Sequence, residues 1–419
     1  MSKRKVYVVD GLRTPFLKAR GKRGAFSASD LAVYAGRSLL MRQPFKPSDF
    51  DEVIMGCVMP EPDEMNIARI IALRLGCGKE VPAWTVQRNC ASGMQSLDAA
   101  RLKIQAGESN LILAGGTEVM SRAPLLLSHA MTDWLGDFQR SKTLSQKLSA
   151  LVKLRPSFFA PIIGIIKGLS DSVVGLSMGQ TAENLAYKYH INREEMDGFA
   201  VESHLKVVSG MESRGLQDEI VSIVDKQGHV YTEDDGVRSD STLESLGKLR
   251  PVFDRKFGMV TAGNSAQITD GAAMLILASA QAVRKYKLPV LGTLDDVHWA
   301  GVAPEHMGLG PAYAIPPLLA RNKLGVGDID AWEINEAFAV QVLACLQDMK
   351  DKGVGNIPLD KLNREGGAIA IGHPVGASGA RIVLHLLNSM QRNGEKRGVA
   401  SLCIGGGQGG AVLLSGGES

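Results

Sequence analysis

The sequence has few cysteines, and their spacing argues against the two common structural uses of this residue. The 419 residues include five: Cys57, Cys77, Cys90, Cys345 and Cys403. The number is odd, the residues are far apart and no two form a CxxC pair, so neither a disulfide framework nor a zinc site is expected. Free thiols indicate a reducing compartment, and we expect a cytoplasmic protein.

The sequence also lacks a strong charge of either sign and a long hydrophobic run. The net charge is only +3, which gives no electrostatic footprint for nucleic acid, so no nucleic-acid partner is expected. No apolar run reaches the roughly 18 residues of a membrane-spanning helix. Near the N-terminus, the run VYVV meets Asp10 after four residues. This run is too short for a signal peptide and is predicted to be a first strand.

Glycine is abundant, at 47 residues against 17 prolines, which is typical of many tight turns rather than of disorder. Residues 1–120 alternate strand-like runs with helical patterns, which indicates an α/β fold. Residues 121–248 are more polar and irregular. We therefore expect an N-terminal half of residues 1–120, continued by about 249–280, an inserted loop domain of residues 121–248, and a C-terminal half of residues 281–419.

A weak internal repeat supports two related halves. QRNCASGMQSLDAARLKIQAG leads to the strand NLILAGGTE, and GHPVGASGARIVLHLLNSMQRNG leads to GVASLCIGGGQGG. Each unit consists of a loop, a helix that starts with small residues, a strand and paired or tripled glycine. Because α/β proteins also produce such similarity by chance, the duplication is a hypothesis at this point.

The first unit places a cysteine at the start of its helix. Met94, Leu97, Ala100 and Ile104 recur at helical spacing, so Cys90 lies at or just before the helix N-terminus. Free N–H groups and the helix dipole at that position lower the pKa of a thiol and populate the nucleophilic thiolate. The alternative is a buried structural cysteine.

The second unit places a histidine at the equivalent point. An apolar run that we predict to be a strand ends at Gly372, and Pro374 restricts His373 to an extended backbone. A lone histidine is more often structural. Together with a helix-start cysteine in the other half, it indicates a nucleophile and its base.

Two further stretches have the character of a catalytic site. In EINEAFAVQVL, Asn335 and Glu336 interrupt an apolar passage from strand to helix; Asn335 is suited to hold a water or a carbonyl oxygen, whereas Glu336 has helix capping as its alternative. In ASLCIGGGQGGAVLL, Cys403 ends an apolar run and is followed by Gly405–Gly407. Two thiols, an imidazole and accessible glycine N–H groups suit acyl-thioester chemistry.

These motifs together resemble the thiolase family. VVDGLRTPF, NCASGMQS, RPVFDRKFGMVTAGNSAQITDGAA, NEAFA, GGAIAIGHPVGASGAR and CIGGGQG occur in this order along the whole chain. The resemblance implies a duplicated βαβαβαββ core in a five-layered α-β-α-β-α arrangement, with a loop domain inserted in the first half. It also implies a homodimer or a dimer of dimers.

The resemblance also implies residue roles. Cys90 corresponds to the acyl-accepting nucleophile, and His373 corresponds to the base that activates it and lines an oxyanion hole. Asn335 corresponds to the residue that positions a water in that hole. Cys403 corresponds to a second acid/base, and the N–H groups of Gly405 and Cys90 would form the other hole.

The implied reaction cleaves a 3-oxoacyl-CoA with CoA to acetyl-CoA and a shortened acyl-CoA. Coenzyme A is then a substrate, and no metal or redox cofactor is required. Residues expected along the pantetheine channel are Met178, Ala262, Ser265, Met307, Ala337 and Phe338. The family serine of the GN motif is displaced here, because Ala266 occupies its usual place. No basic group for the CoA phosphates can be selected from the sequence.

The loop between Ser121 and Met178 resembles the long loop of the trifunctional-type β-subunits, which act with a hydratase/dehydrogenase α-subunit on long acyl chains. Compact acetoacetyl-type thiolases have a shorter loop and commonly a histidine where this chain has Ser177. The trifunctional subgroup often carries His-Glu-Ala-Phe, from which Asn335 departs. Residues 143–171 are basic and amphipathic, so they are expected either to contact an α-subunit or a membrane surface, or to pack over the acyl tunnel.

Other functions remain as alternatives. They are a biosynthetic acetoacetyl-CoA thiolase, a decarboxylating ketoacyl synthase, a non-catalytic lipid-transfer or scaffold protein, and a cysteine hydrolase. The second cysteine argues against a synthase, and the presence of all three reactive residues argues against a scaffold. A hydrolase would not need two thiols.

Overall fold

The structure, a computed structural model, describes residues 4–213 and 215–417. The strands are β1 (Val6–Arg13), β2 (Leu17–Lys18), β3 (Glu52–Gly56), β4 (Ala83–Val86), β5 (Leu111–Val119), β6 (Leu125–Leu126), β7 (Ile162–Ile163), β8 (Ile223–Val224), β9 (Val230–Tyr231), β10 (Thr269–Ser279), β11 (Gly292–Gly301), β12 (Ala331–Ile334), β13 (Arg397–Ile404) and β14 (Gln408–Gly416). The α-helices are α1 (Ala28–Leu40), α2 (Ile67–Arg74), α3 (Ser92–Ala106), α4 (His129–Arg140), α5 (Leu144–Val152), α6 (Gly164–Gly168), α7 (Met178–Tyr189), α8 (Arg193–Glu212), α9 (Leu243–Gly247), α10 (Ala280–Tyr286), α11 (Gly310–Arg321), α12 (Ala339–Asp351), α13 (Ala368–Ile371) and α14 (Val375–Asn393).

The long strands form one sheet made of two similar halves. Its order is β12-β13-β14-β11-β1-β10-β5-β3-β4. In the first half, the pairs β1–β10 and β10–β5 are antiparallel and β5–β3 is parallel. In the second half, β11–β14 and β14–β13 are antiparallel and β13–β12 is parallel. The repeated pairing pattern confirms the expected duplication.

The halves join through a short antiparallel contact of β1 with β11, at Tyr7 with Thr293 and Val8 with Gly292. Helices cover both halves. α1 and α2 pack on the first half, α11 and α12 lie on the outer side of the second, and α3 and α14 lie between them. The order of layers is therefore α-β-α-β-α, as expected.

The two central helices begin side by side, because glycines allow their backbones to meet. A Cβ on Gly93 of α3 would lie 2.8 Å from the carbonyl oxygen of Gly376, and one on Gly379 of α14 would lie 2.5 Å from the backbone nitrogen of Met94. Real Cβ atoms do not approach so closely. The loops preceding α3 and α14, which carry Cys90 and His373, are thus held together.

The segment between β5 and β10 carries helices α4–α9 and two short hairpins, β6–β7 and β8–β9. β10 lies between β1 and β5, so residues after this segment complete the first half. On this arrangement we propose the division into residues 1–120 with 249–280, 121–248 and 281–419. Within the described residues, no helix is both long enough and apolar enough to cross a bilayer.

One predicted element is wrong. The apolar run before Gly372 forms the short helix α13, not a strand; its N–H groups bond back to Gly367 and Ala368. The run is buried on all sides, and uniform burial removes the periodicity that separates helix from strand.

Candidate active site

The three reactive residues predicted from the sequence line one cavity. Cys90, His373 and Cys403 contribute to a cavity of about 490 Å³. They come from the loop before α3, the loop before α14 and the end of β13. The pairing of the central helices and the order of the sheet bring these distant positions together.

Cys90 lies two residues before α3, next to the hairpin loop between β13 and β14. The backbone N–H groups of Gly405 and of Cys90 itself approach its sulfur and lower the pKa of the thiol, but burial outweighs them and the pKa is raised. The lowered pKa expected from the sequence is therefore wrong, because desolvation of the sulfur outweighs the N–H groups at the helix start. The thiol needs a base that takes its proton as it attacks.

His373 lines the same cavity as Cys90, and one of its ring nitrogens is free within the described part of the chain. Its Nδ1 lies 2.6 Å from Ser378 Oγ, and this hydroxyl donates to the carbonyl oxygen of Pro374 at 3.1 Å. Ser378 therefore accepts from Nδ1–H, and Nε2 carries the free lone pair. Nε2 has no partner among the described residues. Burial lowers the pKa of His373 to about 4, so the imidazole is neutral at pH 7.

Cys403 is buried in the wall of the same cavity. Burial raises the pKa of its thiol well above the ordinary value, and negative charge on Cys90 raises it further. The charge state of Cys90 therefore affects the pKa of the Cys403 thiol. A protonated thiol at this position can donate a proton to a developing carbanion or enolate.

Asn335 and Glu336 follow β12 and differ in their surroundings. Asn335 is fully buried, and neither its Oδ1 nor its Nδ2 has a partner among the described residues. Such a buried amide suits a water or a substrate oxygen. Glu336 instead accepts from Ser203 Oγ at 2.6 Å and Asn363 Nδ2 at 2.9 Å. It links α8 to the second half and does not cap α12.

The hairpin loop Gly405–Gly407 joins β13 and β14 directly above Cys90. Gly406 and Gly407 have φ of 90° and 81°, a backbone region that favours glycine. The hairpin is held from behind, because Val302 N–H donates to the carbonyl oxygen of Gly407 at 2.8 Å. The Gly405 amide is thereby presented to the Cys90 sulfur.

The residues expected along a pantetheine channel lie in the same cavity wall. All six are present: Met178, Ala262, Ser265, Met307, Ala337 and Phe338. Ala266 lines the cavity as well, while the Ser265 hydroxyl donates to the carbonyl oxygen of Thr261 at 2.7 Å. Ser177 caps α7 by accepting from the N–H of Gln180, which gives this position a structural use.

Comparison with known families agrees with this site. The sequence model of the thiolase N-terminal domain matches residues 6–281, and that of the thiolase C-terminal domain matches residues 288–416. The chain belongs to the thiolase family. It is therefore an acyltransferase.

The relatives cover the full length of this thiolase. Human mitochondrial 3-ketoacyl-CoA thiolase is 38% identical over 415 residues, covering 98% of each chain. A probable acetyl-CoA acyltransferase of Staphylococcus aureus is also 38% identical over 415 residues, covering 98% of this chain and 99% of its own.

Solved structures of two acetyl-CoA acyltransferase-type enzymes superpose on nearly the whole chain. Bacillus anthracis acetyl-CoA acetyltransferase superposes with a TM-score of 0.88 at 34% identity and 99% coverage of both chains. Human mitochondrial 3-ketoacyl-CoA thiolase in complex with CoA gives 0.88 at 37% identity, covering 99% of this chain and 98% of that one.

Several contributors to the thiolase site were not predicted from the sequence. Ser378 stands five residues after His373 in the motif GHPVGASGAR, and this spacing is the signal that the sequence offers for its contact with the imidazole. Lys18 lines the cavity, and nothing in the sequence links it to Cys90. Glu118 lies near the end of the apolar strand β5 and is fully buried. A charged residue in such an apolar run is the signal that the sequence offers for it.

Proposed function

We propose that this thiolase is a 3-ketoacyl-CoA thiolase of fatty-acid β-oxidation, which cleaves a 3-oxoacyl-CoA with CoA to acetyl-CoA and a shortened acyl-CoA. The observation that carries the proposal is the shared cavity of Cys90, His373 and Cys403. A single thiol and base would suffice for acyl transfer alone. The second thiol gives the site a proton donor for carbon–carbon cleavage.

In the first half-reaction, the Cys90 sulfur attacks the 3-keto carbon while its proton passes to Nε2 of His373. The resulting oxyanion is stabilised by the protonated Nε2 and by a water held by Asn335. When the oxyanion collapses, the C2–C3 bond breaks and its electron pair moves to C2. Cys403 protonates C2, which releases acetyl-CoA and leaves an acyl thioester on Cys90.

In the second half-reaction, the Cys403 thiolate takes the proton of an incoming CoA thiol. The CoA sulfur attacks the acyl thioester, and the new oxyanion lies against the N–H groups of Cys90 and Gly405. Its collapse expels the Cys90 thiolate, which recovers its proton from His373, and the shortened acyl-CoA leaves. Both thiols end protonated, as they began.

Mass spectrometry of two variants tests the roles of the thiols. Cys403→Ser should still be acylated at Cys90 by a saturated acyl-CoA, yet should not cleave a 3-oxoacyl-CoA. Cys90→Ser should form no acyl-enzyme with either substrate. Acylation of another cysteine, or cleavage by Cys403→Ser at the wild-type rate, would contradict the assignment.

We also propose that Lys18 and Arg238 receive the CoA phosphates. Lys18 lines the cavity, and its pKa is lowered by burial and by the positive charges of Arg238 and Arg20. A cluster of cations at a cavity is suited to phosphate. Lys18→Ala and Arg238→Ala should raise KM at least several-fold for CoA substrates, but should not change it for the matching pantetheine thioesters. Equal losses with both substrates would refute the assignment.

A biosynthetic acetoacetyl-CoA thiolase is the second candidate, favoured by the structural similarity to Bacillus anthracis acetyl-CoA acetyltransferase. Steady-state assays with 3-oxoacyl-CoA substrates of increasing chain length separate the two. A β-oxidation enzyme should retain kcat/KM on medium and long chains. An acetoacetyl-CoA enzyme should lose it beyond the shortest substrate.

We propose that residues 143–171 contact an anionic membrane surface. Residues 138–170 contain no acidic side chain and six basic ones: Arg140, Lys142, Lys147, Lys153, Arg155 and Lys167. Large apolar side chains are exposed among them: Leu144, Leu148, Leu151, Val152, Phe159, Ile163 and Ile166. Arg140 pairs with Asp137 at 2.7 Å, and the segment keeps an excess of positive charge. Exposed apolar groups and an excess of positive charge together suit anionic lipid. The end of the segment packs over the catalytic cavity through Ile166, Leu169 and Ser170.

Sedimentation with vesicles tests this surface. The triple variant Lys142→Glu, Lys147→Glu, Lys153→Glu should lose binding to phosphatidylserine vesicles and keep its activity on a short substrate. A control triple at the exposed Lys22, Lys323 and Lys350 should bind as the wild type does. If the wild type ignores anionic vesicles but binds a hydratase/dehydrogenase α-subunit through this segment, the surface is a subunit contact instead.

We further propose a homodimer, or a dimer of such dimers, located in the cytoplasm. Strand β4 ends the sheet and pairs only with β3 among the described residues, and Trp84 on it is partly exposed. Unpaired edge strands are commonly covered by a second chain. Light scattering should give twice or four times the chain mass of 44.8 kDa, and Trp84→Lys should shift it toward the monomer. A monomeric wild type would contradict the proposal.

A further inference from the structure

Asn89 directly precedes the nucleophile Cys90 and connects the loop that carries it to the hairpin loop that follows Cys403. Its side-chain Nδ2 donates to the carbonyl oxygen of Gly405 at 2.7 Å. Cys90 is the next residue in the chain, and Cys403 lies two residues before Gly405. Among side chains of the loop before α3, this is the one hydrogen bond to the β13–β14 hairpin that the described residues show.

The backbone of Asn89 is also unusual. Its φ is 44°, in the left-handed region that asparagine tolerates better than most residues. The carbonyl oxygen of Asn89 accepts from both the N–H and the hydroxyl of Ser92, at 3.0 and 2.7 Å. The residue is therefore fixed at its backbone, and its amide is directed at the hairpin.

The partner of Asn89 is the residue whose N–H approaches the Cys90 sulfur. The hairpin is otherwise glycine from 405 to 407, and Gly406 and Gly407 have positive φ. Glycine peptides in such a turn can rotate readily. Val302 fixes the far end of the loop at Gly407, and Asn89 holds the peptide that follows Gly405 through its carbonyl oxygen. The Gly405 N–H belongs to the preceding peptide, so Asn89 acts on it through the Cα of Gly405.

We propose that Asn89 is a positioning residue, which anchors the carbonyl oxygen of Gly405 and thereby keeps the N–H on the other side of the same Cα facing the sulfur and the acyl oxygen on Cys90. The inference rests on the proposed function where it assigns that N–H to the acyl oxyanion. Removing one oxyanion donor typically costs about 10²–10³ in kcat. Misorientation of a donor that is still present should cost about tenfold to a hundredfold.

Three variants separate the side-chain donor from the backbone conformation. Asn89→Asp keeps the shape but places an acceptor against the Gly405 carbonyl, and Asn89→Gly keeps the left-handed backbone but loses the donor. Asn89→Ala loses the donor and strains φ. The matched control is Gln87→Ala, which removes an exposed neighbour whose side-chain amide donates to Asn89 Oδ1 at 3.3 Å and makes no hydrogen bond to the hairpin among the described residues.

We expect Asn89→Asp and Asn89→Gly to lose a similar factor in kcat with little change in KM, and the control to match the wild type. The pH profile of Cys90 alkylation by iodoacetamide should move to higher pH in both variants, since the Gly405 N–H no longer favours the thiolate. This second assay needs no substrate, so it tests Asn89 even if the proposed reaction is wrong.

Two results would overturn the inference. One is wild-type kcat and an unshifted alkylation profile in Asn89→Asp and Asn89→Gly. The other is a loss confined to Asn89→Ala, which would show that only the backbone conformation matters. Asn89→Asp preserves the side-chain volume, and Asn89→Gly preserves the backbone freedom. If one of these variants does not fold, the other still tests the inference.

Discussion

Glu118 gives the sharpest test of the energetics around the site, because it is a fully buried carboxylate. It accepts from the backbone N–H groups of Val58 at 2.9 Å, Met59 at 3.0 Å and Gly376 at 3.1 Å. Gly376 belongs to the first turn of α14, just after His373. Burial nevertheless dominates these hydrogen bonds and raises the pKa of Glu118 from 4.5 to about 7.

The size of the pH-dependent contribution of Glu118 to the free energy of unfolding follows from this pKa. A carboxyl whose pKa is raised on folding stabilises the folded state fully below its unfolded pKa, and that contribution is lost as pH rises through the folded pKa. One pKa unit corresponds to about 1.4 kcal/mol, so a rise from 4.5 to about 7 corresponds to roughly 3 kcal/mol. Glu118→Gln, which resembles the neutral acid, should not lose this contribution.

The assay is urea unfolding of the wild type and Glu118→Gln at pH values from 5 to 8. The free energy of unfolding of the variant, relative to the wild type, should increase with pH by about 3 kcal/mol in total. The control Glu108→Gln replaces an exposed glutamate and should run parallel to the wild type. A Glu118→Gln curve parallel to the wild type would show that the carboxylate is not desolvated and would refute the reasoning.

Three other predictions concern the reacting groups and their support. Alkylation of Cys90 by iodoacetamide should accelerate well beyond pH 7, because burial raises its pKa; a plateau already at pH 7 would contradict this. Ser378→Ala should lower kcat about tenfold, because the hydroxyl fixes the tautomer of His373, and Ser378→Thr should restore much of the activity. The measurement is kcat over pH 6–9, and a pH profile of Ser378→Ala that matches the wild type would contradict this role. Gly379→Ala should lower the free energy of unfolding by about 1–3 kcal/mol, since the added Cβ would lie 2.5 Å from the Met94 backbone nitrogen. Urea titration measures this change, and an unchanged midpoint would show that α3 and α14 can move apart without loss of stability.

Cys90, His373 and Cys403 could be selected from the sequence because each stood out from its neighbours, and the structure places all three in one cavity. Cys90 and His373 each preceded a helix with a small-residue start, and Cys403 preceded a run of glycines. Such local departures from packing patterns survive in the sequence. The duplication that relates them was visible because the two helix–strand units repeat the same order of small and apolar residues.

What could not be predicted depends on long-range contacts. The sequence predicts a strand where helix α13 forms, because burial on all sides removes the periodicity that separates the two. The direction of the Cys90 pKa shift differs from the prediction, because the helix start is visible in the sequence and the desolvation of the sulfur by distant residues is not. The contacts of Asn89 with Gly405 and of Glu118 with Gly376 join residues that are hundreds of positions apart.

The proximity of the Cys90 and Cys403 sulfurs can be measured directly by bridging them with dibromobimane, which becomes strongly fluorescent when it links two thiols. The account predicts rapid fluorescence, a bridged peptide pair containing residues 90 and 403, and loss of the signal in Cys90→Ser and in Cys403→Ser. Saturating CoA should slow the reaction. A bridge that excludes either cysteine, or labelling of each thiol without any bridge, would contradict a shared catalytic cavity.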